Sequence, residues 1–179
     1  LCVEELMRND RIHIIDNFLP SNEFKPLQDM MMGYHLAWYY SDGTITYDNP
    51  KGSFQFSTGF YEKGSPHIIC NIELLSEKIK CCLDRLMEIE KVEKLYRIKA
   101  NLNPKTLFHR GLGYHTDGFE NGKTAILYVN TNNGWTHIKK CGKIKCVANR
   151  MVIFDCRHEH QGYTCTDQKA RFLINFNYS

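Results

Sequence analysis

The sequence predicts a mainly β domain with flanking helices, an α+β fold whose strands form a barrel or double-sheet jelly roll with the N-terminal helices packed on the outside. Three observations carry that expectation. From Tyr96 to the C-terminus the chain holds only short strand-like runs separated by turn formers. Ahead of them, two stretches repeat apolar residues at helical period. Finally, no internal repeat, low-complexity tract or linker divides the 179 residues, so residues 1–179 read as one domain.

Taken in order, "RIHIIDNFLP" alternates and reads as a strand running into Pro20. "SNEFKPLQDMMMG" offers Ser21 as a cap, apolar Phe24, Leu27, Met30 and Met31, and Gly33 as a terminator, hence a short helix. "YHLAWYY" is β-prone, with Trp38, Tyr39 and Tyr40 expected in the core. "SDGTITYDNPKGS" behind it is rich in turn formers and reads as a loop. From Ser65 and Pro66, apolar Ile68, Ile72, Leu75, Ile79, Cys82, Leu83, Leu86 and Ile89 hold a helical period for about six turns. The strand runs that follow are "LYRIKANL", "KTAILYVN", "GWTHI", "KIKCVA", "RMVIFD" and "ARFLINFNY". They are punctuated by "NPKTLFHRGLG", "NTNNG", "KKCGK" and "TCTDQK".

Composition narrows the function classes. At 42% hydrophobic and 24% charged the chain is ordinary globular protein. Its net charge of +3 comes from scattered lysines, so no nucleic-acid partner is expected. No apolar run approaches the ~18 residues a membrane span needs, and Glu4 and Glu5 do not suit a secretory signal. A soluble, cytoplasmic protein is therefore expected. The eight cysteines contain no CxxC, Cys81 and Cys82 are adjacent in a helical pattern, and Cys141 and Cys146 are too widely spaced for a zinc knuckle; mostly reduced thiols follow.

The chemistry concentrates in "GYHTDGFENG". His115 and Asp117 stand two apart between glycines, and in an extended strand such residues point the same way and can reach one point in space. Alone, such a pair is as readily a surface turn with Asp117 bonding its own backbone. Downstream, "RMVIFDCRHEHQGYTCTDQKARFLINFNY" adds His158 and His160 after one strand and Arg171 at the start of the next. Two imidazoles and one carboxylate make the facial triad that suits non-haem Fe(II) and leaves adjacent positions open.

In these residues the sequence resembles the Fe(II)- and 2-oxoglutarate-dependent dioxygenases, whose signature is HxD, a distal His, and then an Arg or Lys. The closer resemblance is to the prolyl-4-hydroxylase-like branch, including small single-domain phage-type forms, and it runs from "IIDNFLP" to the C-terminus. It implies a double-stranded β-helix core and a metal held by His115, Asp117 and His160, with His158 on the same face as the alternative third ligand. It also implies that Arg171 binds the far carboxylate of 2-oxoglutarate, assisted by Tyr128 of "AILYVN". A rim salt bridge for Arg171 and plain core packing for Tyr128 are the competing readings. Asn175 shares the face of Arg171, where it touches the co-substrate or bonds backbone. Relatives carry tyrosine before the proline where this chain has Asn103-Pro104, which puts substrate specificity in question more than the iron site.

The activity implied is hydroxylation of an unactivated C–H with release of succinate and CO2. Fe(II), 2-oxoglutarate and ascorbate are the cofactors, and a prolyl residue of a peptide or protein is the first expected substrate, ahead of a small molecule. Two loops, "SDGTITYDNPKGS" and "NPKTLFHRGLG", are candidate walls of a substrate cleft. A non-catalytic cupin-like metal or ligand-binding barrel would keep the trio but have no use for Arg171. A zinc hydrolase would need a general base, and Glu159 should face away from its flanking histidines.

Overall fold

The computed structural model describes residues 12–43, 50–65, 68, 75–119 and 121–179. Its elements are β1 (His13–Ile15), α1 (Ser21–Met32), β2 (Tyr39–Asp42), β3 (Phe54–Glu62), α2 (Glu77–Ile89), β4 (Leu95–Pro104), β5 (Lys123–Tyr128), β6 (Trp135–Ile138), β7 (Gly142–Lys145), β8 (Arg150–Asp155), β9 (His160–Tyr163) and β10 (Ala170–Tyr178). Seven strands form one sheet in the order β1-β8-β5-β10-β4-β3-β2, and three form a second in the order β7-β6-β9. Every pairing is antiparallel. Isolated bridges Gly111↔Tyr163 and His115↔His160 lay the segment between β4 and β5 along β9, as a rudimentary further strand of the smaller sheet. The fold is mainly β, in two antiparallel sheets that fit a jelly roll.

The two-residue period of the strands divides the molecule. Ile98 and Ala100 of β4, Leu127 of β5, Met151 and Ile153 of β8, and Ile174 and Phe176 of β10 share one buried cluster with Phe24, Leu27 and Met31 of α1 and Ile79, Leu83 and Leu86 of α2. The intervening positions face the other way. There Ile126, Tyr128, Val152, Phe154 and Leu173 of the large sheet join Ile138 and Ile144 of the small one in a second cluster. Residues of both helices therefore share a cluster with one face of the large sheet, while the opposite face packs on the small sheet.

Several expectations need correction. Ser21 is the first helical residue rather than the cap; Pro20 precedes it and no side chain caps α1. The long helix begins at Glu77, and Ser65, Ile68 and Leu75 lie outside it. Residues 66–67 and 69–74, part of the same expected helix, lie outside the described residues, as do residues 44–49 of the first loop. Strand β3 has no counterpart in the sequence reading, although its alternating Phe54, Phe56 and Thr58 carry β propensity. Tyr39 and Tyr40, expected in the core, are 66% and 62% exposed because β2 is the outer edge of the large sheet. Among the described residues the six cysteines are free thiols, and no helix is long and apolar enough to cross a membrane.

Candidate metal centre

The β4–β5 segment and β9 bring His115, Asp117 and His160 together, with one ligand atom from each lying within 4.8 Å of the others. The bridge between His115 and His160 sets this up, since each backbone N–H donates to the other's carbonyl at 3.0 and 2.9 Å. Their rings stand 4.5 Å apart between centroids. Each imidazole also donates Nδ1–H to a carbonyl: His115 to Gly113 at 3.2 Å and His160 to His158 at 3.0 Å. A carbonyl only accepts, so this fixes the tautomer and leaves both Nε2 lone pairs for a cation. His158 supplies its carbonyl to that arrangement, and the trio forms with His160.

Asp117 is anchored as firmly. Its Oδ2 accepts from the Thr124 hydroxyl of β5 and from Asn177 Nδ2 of β10 at 3.1 Å, while Arg97 of β4 pairs with Oδ1 at 3.4 Å. Burial alone would raise this carboxyl, but His160, the Thr124 hydroxyl and Arg97 outweigh it and hold it below the ordinary aspartate value. Burial in turn lowers His160, against the pull of Asp117, and so keeps the imidazole neutral. An ionised carboxylate and imidazole nitrogens free to donate a lone pair are what a divalent metal needs. The donor set therefore fits ferrous iron.

From His115 and His160 a cavity runs to Arg171, with Asn101, Leu112, Ile126, Leu173 and Asn175 along its walls. Arg171 is only 1% exposed, yet among the described residues it has no carboxylate partner. Its Nε donates to Cys146 Sγ at 3.1 Å, Nη1 to Asn103 Oδ1 at 3.0 Å and Nη2 to Thr136 Oγ1 at 2.9 Å. These engage three of the guanidinium's donors, leaving roughly two of its five N–H groups for a ligand. A side chain on Gly162 would begin 3.0 Å from Nη1, so glycine keeps that space open. Tyr128 donates to Thr136 at 2.7 Å, and its ring lies 5.6 Å from the guanidinium carbon. Burial pushes its hydroxyl far above the usual phenol range, so it remains a neutral donor.

Of the positions named from sequence, His115, His160, Arg171 and Asn175 line one cavity, and the Asp117 carboxylate lies within 4.8 Å of the two imidazole ligand atoms. Tyr128 packs in the core while also touching the Arg171 network. The sequence reading missed Thr124 and Asn177 beside Asp117, and Thr136 and Cys146 beside Arg171. For Asn177 a signal existed, since it shares the face of Arg171 and Asn175 at period two. Cys146, dismissed as a poor zinc ligand, sits against the buried guanidinium instead. His109 and His137 bond the Thr164 carbonyl and the Tyr114 hydroxyl. Glu159 is turned outward into an ion pair with Lys139.

Neither a protein-family model nor a curated protein matches the chain. Solved structures do. A Pseudomonas putida prolyl-4-hydroxylase superposes with TM-score 0.65 at 13% identity, covering 98% of this chain and 96% of its own. A Trichoplax adhaerens prolyl hydroxylase in complex with a hypoxia-inducible-factor peptide fragment gives 0.61 at 16% identity, covering 98% and 86%. HygX from Streptomyces hygroscopicus, with nickel and 2-oxoglutarate bound, gives 0.61 at 11%, covering 100% and 87%. At these identities the likeness speaks for architecture, and this chain has the fold of the 2-oxoglutarate–Fe(II) oxygenases, prolyl hydroxylases among them.

Proposed function

We propose that the protein is an Fe(II)- and 2-oxoglutarate-dependent oxygenase that hydroxylates an unactivated C–H, with a prolyl residue of a peptide or protein as first substrate. The observation that carries this reading is Arg171. A buried guanidinium without a counter-ion costs several kcal/mol, and this one lies in the wall of a cavity also lined by His115 and His160 of the His-Asp-His trio. A dianionic keto acid spans that arrangement, with its keto acid end at the metal and its far carboxylate on the guanidinium. A merely metal-binding barrel would not need the arginine, and a zinc hydrolase would lack a base, since Glu159 is paired with Lys139.

In this reading His115, Asp117 and His160 hold the metal. Iron held there would supply the oxidising chemistry with dioxygen as oxidant, one oxygen atom going to the C–H and the other to 2-oxoglutarate, which leaves as succinate and CO2, while ascorbate would keep the iron ferrous. The chain's own contribution is orientation and exclusion of water. Gly113 and His158 carbonyls hold the imidazole tautomers, and Thr124, Asn177 and Arg97 hold the carboxylate. Cys146, Asn103 and Thr136 fix the guanidinium, and Leu112, Ile126 and Leu173 give the cavity apolar walls.

Anaerobic titration with Fe(II) and then 2-oxoglutarate tests the reading. A weak visible charge-transfer band is expected in the wild type and should fade in Arg171→Ala, where iron still binds. Iron binding with no band in the wild type would refute co-substrate use.

A further inference from the structure

A second cavity, of about 290 Å³, opens beside the first. Pro50 to Phe54 form one wall, and Pro104 to Thr106 with Arg110 to Leu112 form the other. Leu112 lines both cavities. The inner cavity's Gln55 and Asn103 directly adjoin the outer one's Phe54 and Pro104 in sequence, so the two spaces are neighbours. The outer cavity is apolar at Pro50, Phe54, Pro104 and Leu112, and cationic at Lys51, Lys105 and Arg110. No acidic residue lines it among the described residues, and none of the three cations is in an ion pair there.

We propose that this outer cavity docks an acidic segment of a polypeptide substrate, placing a neighbouring residue of that substrate at the metal. The inference rests on the oxygenase reading for what happens at the metal, and on charge and shape for the docking itself. Three cations that pair with no acid among the described residues, set around an apolar floor, match carboxylate side chains carried on a chain that also offers apolar contact. The surroundings favour a polymer over a small metabolite. Leu107 and Phe108 are 88% and 81% exposed beside one wall, and Phe54 leads out to exposed Tyr40, its ring 5.9 Å away. Apolar side chains left in water around a charged cavity mark a contact surface larger than the cavity.

The cationic wall is built before any ligand arrives. Lys105 N–H donates to the Lys169 carbonyl at 3.0 Å and Thr106 N–H to the Cys165 carbonyl at 3.1 Å. Arg110 exchanges backbone bonds with Thr164, donating to its hydroxyl at 2.9 Å and accepting from its N–H at 3.0 Å. The Arg110 guanidinium crosses to the opposite wall, where a side chain on Gly52 would begin 3.9 Å from Nη1. On that wall the Ser53 hydroxyl oxygen is buried and has no hydrogen-bond partner among the described residues. Such fixed groups lower the ordering cost of binding an extended peptide.

The test uses short fluorescein-labelled peptides of alternating Glu and Pro, Gln and Pro, or Lys and Pro, added anaerobically to protein loaded with Fe(II) and 2-oxoglutarate. Fluorescence anisotropy reads docking, and the visible band of the same sample reads the metal centre. The Glu/Pro peptide should bind at least tenfold tighter than the Gln/Pro peptide, weaken with added salt, and lose that advantage in a Lys51→Glu, Lys105→Glu, Arg110→Glu variant whose band is unchanged. Equal binding of the Glu and Gln peptides, or Glu/Pro binding indifferent to the charge reversal, would overturn the proposal. So would displacement of the Glu/Pro peptide by citrate as readily as by unlabelled peptide, which would make the cavity a small-anion site. Loss of the band with peptide docking intact would instead count against the oxygenase reading alone.

Discussion

Arg171 of β10 stands opposite Asn103 of β4 in the strand register, and its Nη1 donates to the Asn103 amide oxygen at 3.0 Å. Asn103 is the residue at which the chain departs from the pattern of the family it resembles. In this protein it holds the guanidinium in place. Replacing it by leucine should leave a buried charged donor unsatisfied, at a cost of roughly 1–3 kcal/mol. Denaturant unfolding of Asn103→Leu should read that loss, and 2-oxoglutarate binding should weaken while iron binding stays. Unchanged affinity for 2-oxoglutarate would show that the contact does not position Arg171.

The Asp117 anchors make a separate prediction. Asn177→Leu and Thr124→Val each remove a hydrogen bond to Oδ2 and should weaken Fe(II) affinity by roughly 10- to 100-fold. Asp117→Ala should abolish specific binding. Competition with a metal-sensitive dye measures all three, and full affinity in Asn177→Leu would argue against the anchor.

Iron should stabilise the fold, because the trio unites the β4–β5 segment with β9 and the unfolded chain has no such site. At a ferrous concentration a hundredfold above the dissociation constant the gain is about 2.7 kcal/mol. Anaerobic thermal unfolding should show a rise in Tm with iron, reversed by a chelator and absent in His160→Ala.

Helix α2 should matter to stability and not to the site. Leu83 is 2% exposed and belongs to the cluster shared with the large sheet, on the face away from the metal. Leu83→Ala should cost about 2–5 kcal/mol. Iron affinity measured well below the new Tm should be unchanged; a large drop would mean that the helix and the site are coupled.

Acid should loosen the edge at β1. Asp16 accepts from Arg150 Nε at 2.6 Å and Nη2 at 2.9 Å, and that hydrogen bonding holds its carboxyl below the ordinary value of 3.8. A carboxyl depressed in the folded state contributes stability above its unfolded pKa and loses it as pH falls through the lower folded value. The pair is partly exposed, so its contribution is on the order of 0.2–1 kcal/mol. Asp16→Asn should therefore be less stable than wild type at pH 7, and the difference should shrink as pH falls below 3.8 and vanish once the folded-state carboxyl is protonated. A difference that persists in strong acid would assign the effect to something other than the ion pair.

How much of this was legible in the sequence follows from which interactions are local. Strands β4, β5, β6, β8 and β10 could be read because each is a short β-prone run bounded by turn formers, and α1 because Phe24, Leu27 and Met31 recur at helical period. Strand β3 was missed beside a turn-rich loop, and its residues gain their strand identity by pairing with β4 across a long stretch of chain. His115, Asp117, His160 and Arg171 stood out because together they match the signature of the family the sequence resembles; the spacing of the His115–Asp117 pair alone fits a surface turn as well.

What the sequence by itself determined was the period of each strand and the identity of the four signature residues, since side-chain direction along a strand is fixed by local backbone geometry. Only the tertiary structure decided what surrounds them. That Asn103 and Cys146 hold Arg171, that Asn177 holds Asp117, and that Lys51, Lys105 and Arg110 face one cavity depends on register between strands and on where two loops meet. These pairings are set by packing the two sheets and the helices together, and no spacing within the chain encodes them.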